Sequence, residues 1–248
     1  MRFGRIFRIA VATGCMLCCA VSVAALDGDE ILMRVDRNLN PESYESYKKL
    51  INIEPDGRKK EFVLFTIKKG RDKVAALFLS PASEKGRATL RLDENMWLYI
   101  PNVGKPLRIT SLQSVVGGVF NNADILRLDY AEEYGVEKVE PIEKQYVLHL
   151  KAKSSTVAYD RLTMWVEQER LLPTRIDCLT QDGMLIKTLY FKEIKKFEGG
   201  VERPSVVETE SPLHKGYTSV MIFAQIRPRE FKDEVFTLTY MPNLDSLR

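Results

Sequence analysis

Residues 47–80 read YKKLINIEPDGRKKEFVLFTIKKGRDKVAALFLS, and their punctuation decides the fold. Tyr47, Ile51 and Ile53 alternate with Lys48 and Asn52, the period of two of a strand with one covered face. Asp56-Gly57 is a dipeptide suited to a tight hairpin turn. Residues 61–69, rich in β-branched and aromatic side chains, run back, Gly70-Arg71-Asp72 turns the chain again, and 74–80 forms a third run. Consecutive strands joined by such short turns make an antiparallel sheet.

The same pattern extends in both directions. Residues 88–92 and 96–100 continue the meander, with 81–86 and 93–95 as connections. Upstream, Ile31, Leu32, Val35 and Leu39 fall at helical spacing and predict an amphipathic helix over 27–39. The alternation breaks between 111 and 129, where Val115 to Phe120 is apolar and glycine-bearing, and Asn122 is placed to cap a short helix over 123–128. Further strands are expected at 145–151, 161–167, 173–180, 185–196, 205–209, 217–226 and 235–240, with turns at Asp182-Gly183 and Gly199-Gly200. That is about ten strands with two helical pieces. The fold class is mainly β (α+β): a sheet with helices on one face, either a closed barrel or a strongly curved open one.

The first 25 residues read as an export signal. Arg2, Arg5 and Arg8 precede an apolar run over 9–25 that closes on Val23-Ala24-Ala25, the small residues a signal peptidase requires. The expected mature chain is one domain over 26–248, working in the periplasm. An alternative is a lipid anchor on Cys15, since Ala12-Thr13-Gly14-Cys15 loosely matches a lipobox. The whole chain carries 37 Lys+Arg and 34 Asp+Glu; removing the three signal arginines leaves 34 against 34. A neutral mature chain gives no electrostatic reason to bind nucleic acid. Cys178 is the one cysteine of the mature chain, so no internal disulfide supports the fold.

Reactive chemistry is sparse. His149 and His214 stand apart from each other and from any metal-ligand spacing, no nucleophile elbow occurs, and Gly117-Gly118 is not followed by the Lys-Ser or Lys-Thr of a phosphate loop. Cys178 lies in an alternating strand as a small buried hydrophobe. Asp93-Glu94 and Glu132-Glu133 fall in polar, turn-like stretches and are expected to be solvated. The reading is of a non-enzyme with no catalytic residue, cofactor or metal.

One resemblance runs through the chain. Pro81-Ala82, Lys85-Gly86, Met96-Trp97-Leu98-Tyr99-Ile100-Pro101, Arg108-Ile109, Val116-Gly117-Gly118-Val119-Phe120 and Asp124-Ile125-Leu126 follow in an order that resembles the LolA-like outer-membrane lipoprotein-sorting proteins. Weaker echoes follow at Leu162, Trp165-Val166, Pro173, Arg175, Asp182-Gly183, Lys187 and Phe236. Gly118-Val119 stands where that family has Ser-Asp. The resemblance implies a half-open antiparallel barrel closed by short helices, LolA/LolB-like, with an apolar cavity for acyl chains. It also implies a monomer whose partners are lipoprotein acyl chains or lipid, an inner-membrane exporter and an outer-membrane acceptor.

Alternation supplies the candidate walls of such a cavity as same-face pairs: Phe62 and Leu64, Leu90 and Leu92, Trp97 and Tyr99, Leu148 and Leu150, Leu162 and Met164, Leu189 and Phe191. Residues 96–100 are apolar on both faces, so Trp97 and Tyr99 fit the outside of the sheet equally well. Val115, Val116, Gly117, Gly118, Val119 and Phe120 form the candidate lid, with Val119 and Phe120 as its plug. Three functions fit: a periplasmic carrier or chaperone for lipoproteins, a carrier of a free lipid or glycolipid beside a membrane transporter, and a structural envelope domain with a self-filled core.

Overall fold

In the computed structural model, which describes residues 27–248, the chain enters its fold through helix α1 (Gly28–Leu39). The expected signal peptide, its cleavage site and Cys15 lie outside the described residues. Ile31, Leu32, Val35 and Leu39 form the buried stripe of α1, and Asp29 and Glu30 in its first turn suit the positive end of the helix dipole. Gly28 lets the helix start lie flat on the sheet: a Cβ there would stand 2.6 Å from side-chain carbons of both Val136 and Val139.

Thirteen strands follow in one antiparallel sheet: β1 (Ser43–Ile53), β2 (Lys59–Lys69), β3 (Lys73–Ser80), β4 (Ala88–Leu92), β5 (Asn95–Tyr99), β6 (Leu107–Ile109), β7 (Tyr134–Ile142), β8 (Gln145–Ala152), β9 (Arg161–Glu167), β10 (Leu172–Leu179), β11 (Leu185–Lys196), β12 (Glu202–Glu210) and β13 (Thr218–Pro228). Two four-residue helices, α2 (Asn122–Ile125) and α3 (Tyr130–Glu133), interrupt the strands between β6 and β7. The spatial order is β6-β5-β4-β3-β2-β1-β13-β12-β11-β10-β9-β8-β7. Two meanders, β1–β6 and β7–β13, are therefore sewn together by β1 against β13, with Leu50 opposite Met221 and Asn52 opposite Ser219.

The sheet is open, because β6 and β7 are its two edges. Both edges resist pairing with another chain: β6 has three residues, and β7 carries Glu137, Lys138, Glu140 and Pro141. Strong curvature is required by the packing. One continuous core joins Phe62, Leu64 and Phe78 of the first meander to Leu150, Met164 and Leu189 of the second, with α1 and the segment 111–133 laid across them on the concave side.

A second core lies on the convex face of the first meander. Phe65, Ile67, Ala75, Leu77, Ala88 and Leu90 are covered there by Phe231, Val235, Phe236, Met241 and Leu244 of the C-terminal segment. That segment is two 3₁₀ turns, Asp233–Phe236 and Met241–Leu247, not the strand expected over 235–240. Its apolar residues serve to cover a face of the sheet, and Pro242 in its last turn lacks the N–H a ladder would need. The expected phase of β1 is also reversed. Lys48 and Asn52 are buried on the concave side, whereas Tyr47 packs into the convex core. Two covered faces explain this, since apolar residues are required on both and alternation no longer marks the inside.

Candidate functional site: the covered concave face

The concave face is a sheet of apolar side chains under a roof. Phe62, Leu64, Leu148, Leu150, Leu162, Met164 and Leu189 are all buried in the concave core, and Phe191 packs half-buried against it. Leu90, Leu92, Trp97 and Tyr99 do not join them. They belong to the convex core under the C-terminal segment, because strand β4 pairs Leu90 with Trp97 and Ala88 with Tyr99 on that side. The inward-facing residues of β4 are instead Thr89 and Arg91, whose guanidinium reaches Leu126 and Glu133 of the roof.

The roof is the segment 111–133. Val115 and Phe120 lie in the concave core, Val116 packs against it, and Val119 is buried beside them. Phe120 is 1% exposed. Below it an enclosed space of about 40 Å³ remains, bordered by Tyr44, Lys48, Ile125, Arg127, Arg203 and Phe223 among others. Sites for small organic ligands usually need roughly 300–1,000 Å³, so on the concave face an acyl chain fits only in place of the roof. A larger cleft of about 240 Å³ between the end of α1 and α3 is lined by Arg37, Glu42, Arg71 and Glu132, a charged lining unsuited to hydrocarbon.

Polar contacts fasten the roof alongside its buried apolar side chains. At its centre Asn121 and Asp124 close a reciprocal cap on α2: Asp124 N donates to Asn121 Oδ1 at 3.2 Å and Asn121 N donates to Asp124 Oδ2 at 2.8 Å. The Asp124 carboxylate also takes the Lys187 ammonium, with the two side chains 1% and 3% exposed, and the Tyr159 hydroxyl at 3.2 Å. Lys187 additionally donates to Val119 O at 3.1 Å. Further along, Asp129 receives Lys68 Nζ at 2.7 Å and Glu133 receives Arg91 Nη2 at 2.5 Å. The sheet thus presents buried cations and the roof supplies the acids. Glu133 is held this way and is not solvated as expected, whereas Glu132 lies exposed beside Arg71.

Helix α1 is locked to the roof by a buried carboxylate. Asp36 accepts from Tyr130 N at 2.8 Å and Ala131 N at 2.9 Å, the free donors at the start of α3. Burial first, and then the nearby Asp129, push the Asp36 carboxyl up to about 7. Arg203 of β12 secures the same C-terminal end of α1 by donating to Leu39 O and Asn40 Oδ1, both at 2.7 Å.

The 115–120 loop is shaped by one close approach. Val116 and Gly117 have φ of 49° and 75°, and Gly118 passes so near β1 that an added Cβ would stand 2.1 Å from Asn52 Oδ1. Asn52 is not free to yield, because it accepts from Ser219 Oγ at 2.8 Å and donates to Val116 O at 3.4 Å, while Ser219 Oγ accepts from Val119 N at 2.9 Å. This contact is the physical reason for glycine at 118 in place of serine. Gly118→Ala is expected to destabilise the protein by about 1–3 kcal/mol, as overpacking does. Gly118→Ala combined with Asn52→Ala should recover part of that loss in urea titrations; equal losses in the single and double variants would show that the contact is not the cause.

Other residues singled out by sequence are structural. Cys178 is buried against the concave core, and burial pushes its thiol up to about 12, far from a nucleophilic thiolate. His149 Nε2 sits 2.7 Å from Glu140 Oε1 between adjacent strands. Among the described residues no three His, Cys, Asp or Glu side chains gather as metal ligands, and no helix is long and apolar enough to cross a membrane. Sequence reasoning missed the inward-facing charges. A readable signal existed: Lys187 is in phase with Leu189, and Lys48 with Leu50.

Residues 70–243 match a family model described as "-like: Uncharacterized protein". No curated protein matches the chain. Among solved structures, a LolA superfamily protein from Nitrosomonas europaea is 25% identical, with a TM-score of 0.79 over 87% of this chain and 100% of its own. A DUF1329 family protein from Desulfovibrio piger is 23% identical, with a TM-score of 0.75 over 86% and 97%. An outer membrane lipoprotein-sorting protein domain from Vibrio parahaemolyticus is 18% identical, with a TM-score of 0.71 over 87% and 98%.

Proposed function

We propose that this chain, which belongs to the family whose model matches residues 70–243 and has a LolA-like fold, is a periplasmic carrier that shields acyl chains on its concave face during transfer between membranes. The cargo in this reading is a lipoprotein bound for the outer membrane, received from an inner-membrane exporter and passed to an outer-membrane acceptor. The observation that carries the proposal is the construction of the roof. Residues 111–133 cover an apolar face without being part of the sheet's ladder, and beside their buried apolar side chains they are fastened by ion pairs and hydrogen bonds that water can replace on opening. Hydrocarbon entering that face gains about 0.8 kcal/mol for each buried methylene. Displacing the buried roof residues subtracts from this gain, which keeps binding modest enough for release.

The small enclosed space favours a second reading, an envelope domain whose concave face is permanently filled by its own side chains. Native mass spectrometry of the protein released from the periplasm separates the possibilities. A co-purifying lipoprotein supports the proposal, a free lipid keeps the carrier but changes the cargo, and an empty protein that also refuses added lipid supports the envelope domain.

A further inference from the structure

The buried cations of the concave side do not all find acids. Lys187, Lys68 and Arg91 pair with Asp124, Asp129 and Glu133 of the roof. Arg203 turns to the carbonyl oxygens of Leu39 and Pro204 and the side chain of Asn40. Lys48 has nothing: it is 6% exposed, borders the enclosed space, and among the described residues has neither a hydrogen-bond acceptor nor a carboxylate. Its ammonium stands 5.2 Å above the ring of Phe223, which Arg203 also faces at 4.1 Å.

The surroundings of Lys48 are positive. Arg203 and Arg127 border the same space, the hydroxyls of Tyr44 and Tyr130 are neutral, and the one carboxylate bordering it, Asp124, is engaged by Lys187 and, at 3.7 Å, by Arg127. Burial, and then the fields of Arg203 and Arg127, depress the Lys48 ammonium to about 7. Beside it on the same face, the hydroxyls of Ser46 and Thr66 lie directly opposite each other across the β1–β2 ladder, are fully buried, and have no partner. A buried ammonium without a counter-ion is a standing cost to the fold, and an oxyanion in the space it borders would relieve it.

We propose that Lys48, with Arg203 beside it on the sheet, forms a headgroup site for an acyl amphiphile bearing a carboxylate or phosphate, its tail lying on the concave face in place of the roof. This rests on the carrier reading and makes its cargo a free anionic lipid in place of a lipoprotein. The apolar face takes hydrocarbon of any kind, whereas the cations select the head, as charged hydrogen bonds are stronger than neutral ones.

The test compares laurate, dodecyl phosphate, neutral dodecanol and inorganic phosphate, below micelle-forming concentrations, on the protein and on Lys48→Met. The protein should bind laurate and dodecyl phosphate about tenfold or more tighter than dodecanol, the scale of one charge-assisted hydrogen bond. Lys48→Met should bring the three close to parity while raising the melting temperature of the unliganded protein. That gain should be full below pH 7 and fade as pH climbs toward the ordinary lysine range, where the unfolded chain also loses the proton. Lys48→Gln repeats the test should methionine misfold, and Lys48→Arg should retain the preference. Equal binding of charged and neutral amphiphiles by the protein would overturn the headgroup site and leave the carrier standing. Tight binding of inorganic phosphate without a tail would overturn it in favour of a free-anion site. No binding of any amphiphile would remove the carrier and this inference together.

Discussion

Truncating Phe120 to alanine is expected to tighten uptake of a fluorescent fatty acid by about 30-fold. Burial of a phenylalanine side chain contributes about 1.5–3 kcal/mol, and Phe120 is buried only while the roof lies on the concave face. If the ligand binds the open form alone, its apparent affinity rises with the open population. A loss of about 2 kcal/mol from the closed form then yields that factor. Urea titration of the same variant should show a matching loss of stability. A loss of about 3–5 kcal/mol, as for a cavity in a permanent core, with unchanged or weaker uptake would make Phe120 ordinary packing.

Asp124→Asn is expected to cost about 3–5 kcal/mol, because it leaves the Lys187 ammonium buried without its counter-ion. The amide keeps an acceptor for Asn121 N, so the cap on α2 survives and the loss isolates the ion pair. Replacing both members together, as Asp124→Leu with Lys187→Met, should return most of that stability, since a well-packed apolar pair often matches a buried ion pair. Urea midpoints of the two variants and of the unsubstituted protein check this. A loss below about 1 kcal/mol for Asp124→Asn would mean that the pair is solvated in solution and does not fasten the roof.

The hairpin architecture could be read from the sequence because it is locally encoded. Residues 88–92, 161–167 and 185–196 alternate cleanly and are strands over those same residues, and Asp56-Gly57 and Gly70 turn the chain where expected. The strands that escaped notice carry weak patterns. β6 is three residues long, and β7 has its alternation broken by a register shift between Val136 and Lys138. The direction each strand faces was less legible still. With the C-terminal segment covering one side and the roof the other, Ile67 and Leu90 are as well buried outside as Leu64 and Met164 are inside. The fastening of the roof was hidden for a different reason. Lys187 and Asp124 are 63 positions apart, and only the fold brings them together.

The central claim is that the roof leaves the concave face when an acyl chain arrives, and amide hydrogen exchange with and without laurate tests it most directly. The account predicts faster exchange across residues 115–130 on binding, including Val119 N–H, now held by Ser219, and Leu126 N–H, now held by Asn122. Strands β1 and β13 should stay protected, because the sheet beneath does not change its ladder. Saturating laurate binding with the exchange of residues 115–130 unchanged or slowed would contradict the account.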